Sequence, residues 1–194
     1  MKFKTIVVDP PWKLSTSMNY LKWVSPLESK YGLMTDEEIA NMGVKSLADE
    51  NCMLFLWTTQ NKLPVAFDIL KAWEFSYHIT ITWRKNSGFV QYGFQRRSEF
   101  CLVGWRGNIN NCMDRYGKSF PTTIDETADP LPFPDYIGDK FKGHSVKPDL
   151  FYHHVLRKTY EPRLEMFSRN KRKGFLHWGN EVECDIEFKI APNR

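Results

Sequence analysis

Four consecutive residues, Asp9-Pro10-Pro11-Trp12, carry the most concentrated chemistry in this chain. Asp9 supplies a carboxylate acceptor. Pro10 and Pro11 hold φ near about −65° and lack N–H groups, so their carbonyls stand as rigid acceptors. Trp12 adds a flat apolar face. Two acceptors beside an aromatic plate suit a planar group bearing an NH2, such as the exocyclic amine of adenine or cytosine. Hydrogen bonds from both amino hydrogens draw electron density onto nitrogen and align its lone pair. A sulfonium methyl as electrophile then needs little acid–base help. The same four residues also read as a rigid turn after a strand, and the tetrapeptide by itself leaves both readings open.

The flanking sequence predicts elements that would hold this turn in place. Residues 4–9, Lys-Thr-Ile-Val-Val-Asp, form a short β-branched run expected as a buried strand. Ligands in open α/β sheets bind outside the carboxyl ends of strands, where Asp9 would then lie. Thr35-Asp-Glu-Glu38 is a capping box opening a helix expected to run to about Leu47. Further strands are expected over 52–57, 77–83, 99–104, 163–167 and 175–178, with helices over 63–73 (Pro64 in its first turn) and 148–157. Strands alternating with helices predict an α/β fold with a largely parallel sheet. The stretches 11–34 and 108–143 fit no regular element, and long loops of this kind are usually functional or disordered.

Composition narrows the classes. With 194 residues, 42% hydrophobic and 15% aromatic, the chain is expected to fold as a single domain, 1–194, with a full core. A net charge of +4 is compatible with a polyanionic partner. No apolar run approaches the ~18 residues of a membrane span, and the N-terminus lacks the apolar stretch of a secretory signal, so a cytoplasmic location is expected. Cys52, Cys101, Cys112 and Cys184 sit at irregular spacing and read as core thiols in place of a zinc site or disulfide framework. His144, His153, His154 and His177 show no metal-ligand spacing, and Trp57 and Trp83 read as core. Neither G-x-G-x-x-G nor G-x-x-x-x-G-K-[ST] occurs, which disfavours a nicotinamide-binding or P-loop enzyme.

The tetrapeptide resembles the signature of the adenine N6-methyltransferase family that includes the catalytic subunit of the eukaryotic mRNA adenosine methyltransferase and small bacterial and phage relatives. Further segments fall in that family's order: Tyr31-Gly-Leu-Met-Thr35, Leu54-Phe-Leu-Trp-Thr58, Glu99-Phe-Cys-Leu-Val-Gly104, His144-Ser-Val-Lys-Pro148, Leu164-Glu-Met-Phe-Ser-Arg169 and Trp178-Gly-Asn-Glu181. The likeness spans residues 5 to 182. It implies a Rossmann-like domain binding S-adenosylmethionine, with its motifs in circularly rearranged order. By the same resemblance Asp9, Pro10, Pro11 and Trp12 are the catalytic residues. Lys147 meets the methionine carboxylate, with Ser145 in the same loop. Glu165, Phe167 and Arg169 form a cofactor segment, Asn180 and Glu181 close over ribose and adenine, and Tyr31 is placed to stack on the target base. Asn170-Lys171-Arg172 follow Arg169 where the eukaryotic subunit carries Pro-His-Asn, so no histidine contact is carried over.

The resemblance implies methyl transfer to the N6 amino group of adenine in nucleic acid, with DNA favoured over RNA because compact members resemble prokaryotic and phage DNA-modifying relatives. Basic residues cluster at Arg163, Arg169, Lys171, Arg172 and Lys173, with Arg96 and Arg97 elsewhere. Such a run is commonly a solvated face, yet beside a cofactor pocket Lys171, Arg172 and Lys173 would track phosphates. A homodimer, or a dimer with a related subunit, is expected to enlarge the nucleic-acid surface. Two other readings stay open: a non-catalytic nucleic-acid-binding member, and a small-molecule amine methyltransferase.

Overall fold

The computed structural model describes residues 1–13, 32–91, 93–116, 118–125 and 146–188. Tyr31 and Ser145 lie outside the described residues. In chain order the elements are β1 (Phe3–Val8), α1 (Asp36–Ala40), β2 (Ala48–Thr59), α2 (Leu63–Ala72), β3 (Ser76–Gln91), β4 (Phe94–Arg106), β5 (Thr123–Asp125), α3 (Asp149–Lys158), β6 (Arg163–Met166) and β7 (Leu176–Trp178). The strands form one sheet in the order β5-β3-β4-β2-β1-β6-β7. β1 runs parallel to β2 and β6, β6 to β7, and β3 to β5. Only β4 is antiparallel to its neighbours. Two residues separate β3 from β4, far fewer than the dozen or so that a parallel crossover needs, so the chain must return as a hairpin.

Alternation of side chains across the strands builds a core on each face. Ile6, Val8, Leu54, Leu56, Leu164 and Met166 pack with Ile39 of α1 and Ala66, Ile69 and Leu70 of α2. Val7, Phe55, Trp57, Trp83 and Cys101 pack with Phe151, Tyr152 and Val155 of α3. Each fully buried side chain of this size contributes about 1.5–3 kcal/mol. β1 is therefore fixed from both sides, and the three layers make the Rossmann-like α/β architecture that the sequence predicts.

Several elements depart from the expected bounds, β2 among them, which runs from Ala48 to Thr59. The capping box is present: Thr35 Oγ1 accepts from the Glu38 N–H at 3.2 Å, and Glu38 Oε2 accepts from the Thr35 N–H at 2.7 Å. Yet α1 stops at Ala40, well short of residue 47, because Gly43 takes φ +68°, a left-handed turn that ends the helical run. Trp73 Nε1 then donates to the carbonyls of Ile39 (3.2 Å) and Ala40 (3.0 Å), groups that a helix end leaves open. Second, β3 and β4 continue as a two-stranded ribbon past Thr59, the last residue of β2. Third, β5 lies within the stretch expected to be irregular. Cys52, Cys101 and Cys112 are buried thiols as expected, whereas Cys184 is exposed. Among the described residues no helix is long and apolar enough to cross a membrane.

Candidate active site

Asp9 leaves the carboxyl end of β1, where Val8 is flanked by Leu56 of β2 and Met166 of β6. The next three residues form a turn fastened to the sheet. The Trp12 N–H donates to the Pro10 carbonyl at 2.9 Å, and the Met34 N–H donates to the Pro11 carbonyl at 2.8 Å. Trp12 is buried beside Met34, and its indole N–H donates to the Trp57 carbonyl at 3.1 Å. This corrects two expectations. Trp12 anchors the turn and does not offer a free plate, and each prolyl carbonyl already accepts one bond, keeping a single lone pair for a ligand. The Asp9 carboxylate is the charged group the turn projects, and its side chain is 27% exposed.

Asp9 is not alone. Lys147, immediately before Pro148 and α3, places Nζ 2.8 Å from Asp9 Oδ2 and 3.2 Å from Glu99 Oε2. The second oxygen of Glu99 accepts from Lys85 Nζ. Trp57 lies 5.3 Å from the Lys147 ammonium and Trp83 lies 4.5 Å from that of Lys85, measured to the ring centroids, so each cation rests against an indole face. Two cations and two carboxylates alternate, and the chain Asp9–Lys147–Glu99–Lys85 is neutral as a unit. Burial would drive the Lys147 ammonium down, but Asp9 and Glu99 outweigh it and hold its pKa above the ordinary lysine value. Burial likewise pushes Glu99 up, and Lys147 with Lys85 reverses the sign and keeps its carboxyl below the usual range.

Lys147, expected from the resemblance to meet a methionine carboxylate, is here paired with Asp9 and Glu99. Glu99 and Lys85 were not expected at the site. Their signal is faint: Glu99 opens one of the matched segments, and Lys85 follows Trp83 on what reads as an ordinary strand. Register brings them together, since Glu99 lies opposite both Thr59 and Trp83.

The ends of β6 and β7 supply a second group of expected residues. Phe167 sits at φ +61° and packs its ring edge-on against Trp178, with centroids 5.2 Å apart. The Ser168 N–H donates to the Trp178 carbonyl at 3.1 Å. Gly179 is required there, because a Cβ would lie 2.3 Å from the Ser168 oxygen. Asn180 and Glu181 follow on the exposed side, and Arg169 Nε lies 3.6 Å from Glu181 Oε1. Phe167 is thus brought to Trp178 and Arg169 to Glu181, with Asn180 next to Glu181 in the chain.

Glu165 is placed differently from expectation. It is buried and accepts from Tyr152 Oη at 2.6 Å, with Arg172 Nε at 3.6 Å and His177 Nε2 at 3.8 Å. Its Oε2 is sealed from solvent, and burial pushes its carboxyl up. A hydroxyl could reach Glu165 only by opening this cluster. Arg172, expected to track phosphate, is folded inward as well. Its Nη1 meets Asp149 at 2.8 Å, and its guanidinium lies 3.9 Å over the Tyr152 ring. The Arg172 main-chain N–H donates to His177 Nε2 at 2.9 Å, which leaves the ring proton on Nδ1, facing Asp185 at 3.1 Å. Lys171 pairs with Asp185 (3.2 Å) and Glu183 (3.7 Å), while Lys173 is exposed. Arg163 begins β6 and Arg169 follows its end, so the basic cluster read from sequence is divided between opposite ends of a strand.

The MT-A70 family model matches residues 3–181. The N(6)-adenosine-methyltransferase MT-A70-like protein of Drosophila melanogaster is 27% identical over 193 residues, covering 94% of this chain and 27% of that protein. The N(6)-adenosine-methyltransferase catalytic subunit METTL3 of Homo sapiens is 25% identical over 193 residues, with 94% and 28% covered. The type II methyltransferase M.MunI of Mycoplasma sp is 25% identical over 217 residues, covering all of this chain and 85% of that protein. The chain spans about a quarter of the length of the two adenosine methyltransferases and most of M.MunI.

Proposed function

The chain belongs to the MT-A70 family, and on that premise we propose that it transfers a methyl group from S-adenosylmethionine to the N6 amino group of adenine in DNA. The observation that carries this reading is the Asp9 carboxylate, projected from a fastened turn at the carboxyl end of β1 and held by Lys147 at 2.8 Å. S-adenosylmethionine supplies a methyl on positively charged sulfur, an electrophile that a neutral aromatic amine attacks without prior deprotonation.

The residues present fit that group. Lys147 offers a cation to the methionine carboxylate, beside the Asp9 that it holds. Arg169, Asn180 and Glu181 offer donors and acceptors for sugar hydroxyls and a purine edge, and Phe167 offers an apolar face. Toward the target base, Asp9 accepts one amino hydrogen and the remaining lone pair of the Pro10 carbonyl accepts the other. The lysine fixes the direction of the carboxylate, so the amine is oriented without reorganisation at the moment of reaction. A base inside a duplex would have to leave the stack to reach this turn.

DNA is favoured by the match over 85% of M.MunI. RNA is the second reading, supported by the 27% identity to the Drosophila adenosine methyltransferase. On the nucleic-acid side, the β3–β4 ribbon carries Lys85, Arg96 and Arg97 past the end of β2, next to Glu99. Pairing with a second such domain would extend this surface. The test is transfer from tritiated S-adenosylmethionine to matched DNA and RNA oligonucleotides, followed by nucleoside mass spectrometry. N6-methyldeoxyadenosine is the expected product. N6-methyladenosine from RNA alone reverses the substrate, and label in neither sinks the activity.

A further inference from the structure

Beside the middle of β2, a pocket of about 250 Å³ opens between the sheet and residues 113–115 and 119–122. Its floor is apolar: Met53, Phe55, Ile81 and Val103, with Phe120 and Met113 as walls. None of these residues belongs to the Asp9 cluster or to the ends of β6 and β7. An apolar cavity of about 150 Å³ is enough to hold benzene, so this one has room for a ring and a substituent.

The polar lining is unusual in sign. Lys158, at the end of α3, lines the pocket although only 6% of it is exposed. Its ammonium donates to the main-chain carbonyls of Tyr116 at 2.7 Å and Asp114 at 3.4 Å. A lysine has three N–H donors. Among the described residues no carboxylate pairs with it. Asp114, the acid of the lining, turns its carboxylate to the Tyr116 N–H at 2.9 Å. Arg115 stands on the exposed rim, its Nη1 donating to Asn110 Oδ1 at 2.8 Å. A buried cation answered, among the described residues, by carbonyl dipoles is costly, and a full negative charge within reach would relieve that cost.

We infer that this pocket is a second binding site, for a small anion built on a single ring, with the ring against Phe55 and Phe120 and the acidic group on Lys158. Apolar contact and charge are both needed. Inorganic phosphate alone lacks the first and a neutral ring the second. The inference does not depend on methyl transfer.

The probe is 4-fluorobenzoate, followed by ¹⁹F NMR titration against the full chain, with 4-fluorobenzyl alcohol and inorganic phosphate as controls. Saturable binding of the acid is expected, about tenfold or more tighter than that of the alcohol, without competition from equimolar phosphate. Lys158→Met and Met113→Trp should each weaken it by a similar factor. Because Lys158 also fastens the 114–116 turn, Arg115→Glu on the exposed rim gives a second reading of charge and should weaken the acid several-fold with an unchanged melting temperature. S-adenosylmethionine binding, titrated in the same samples, should stay unchanged in Arg115→Glu. No saturable binding of the acid, equal binding of the alcohol, displacement by phosphate, or retention of binding in Met113→Trp overturns the inference.

Discussion

Two clusters of buried charge lie at the carboxyl ends of the parallel strands, and they are built on opposite principles. Around Lys147 the charges alternate and cancel, two indole faces lie against the cations, and one carboxylate, Asp9, is left partly open. Around Glu165 the carboxylate is sealed by Tyr152, Arg172 and His177. The contrast shows in protonation. Glu99 is held below the usual carboxylate range by its two lysines, and Glu165 is pushed above it by burial. A depressed acid stabilises the fold above its unfolded value and loses that contribution as pH falls through its folded value. A raised acid does the reverse: its contribution is complete below the unfolded value and is lost as pH rises through the folded one. The first cluster therefore has the character of a reagent support and the second that of a structural clasp.

The largest expected effect tests the open carboxylate. Asp9→Ala should lower methyl transfer by about 10²–10³-fold or more, the scale for losing a positioned group at a reacting centre. Folding should survive, since the Pro10–Trp12 turn keeps its own bonds to Met34 and Trp57. Near-normal transfer in that variant, measured with labelled S-adenosylmethionine, would show that the cluster is structural like its neighbour.

Next comes Glu99, which does not face the turn and acts through Lys147. Glu99→Gln should cost about tenfold in transfer by letting the lysine drift from Asp9, and the loss should appear in kcat more than in KM. It should also flatten the acid limb of the stability curve, below about pH 4.5, because the group that loses stability on acidification is gone. An unchanged limb would separate Glu99 from the pairing seen with Lys85 and Lys147.

Tyr152→Phe addresses the sealed cluster. Removing the 2.6 Å donor to a buried carboxylate should cost about 1.5–3 kcal/mol in denaturant unfolding, with transfer changed by less than about twofold. Tyr152 is one of the groups that lower Glu165, so its loss should raise that carboxyl further and carry the fall in stability to higher pH. A transfer defect exceeding the stability defect would move Glu165 back toward the cofactor role that the motif implies.

How much of this was legible depended on the range of the forces involved. Ile6, Val7 and Val8 are buried on both faces, and a strand of that kind writes itself as an apolar run. The Thr35–Glu38 box is a contact across three residues and is equally local. The end of α1 was misjudged because the left-handed turn at Gly43 weighs more than the helical pattern beyond it. The strand expected over 77–83 runs on to Gln91 because it keeps pairing with β4, while Arg84, Lys85 and Asn86 break the apolar alternation that announces a strand. The Lys147 cluster needed the sheet order itself. Glu99 and Lys147 are 48 positions apart in the sequence, and no spacing rule joins them. Arg172 was misread for the same reason: a basic run looks alike in sequence whether its members face solvent or, as here, Asp149 and Glu165.

The smallest effect lies within that run and divides it. Lys171 already meets Asp185 and Glu183, and the first of these also takes the His177 main-chain N–H at 2.9 Å. A phosphate would have to compete with both carboxylates for that ammonium. Lys173, two residues on, is exposed and has no carboxylate within ion-pair distance among the described residues. If the segment follows a nucleic-acid backbone, Lys173→Ala should weaken duplex binding modestly and lower the dependence of log K on log salt by about 0.9, the value for one phosphate contact. Lys171→Ala should change that slope by much less, because the contact it forgoes is internal. Measured by fluorescence anisotropy over a salt series, an unaltered slope in both variants would mean that neither touches phosphate, and that the charge serving nucleic acid lies elsewhere, on the β3–β4 ribbon with Arg96 and Arg97.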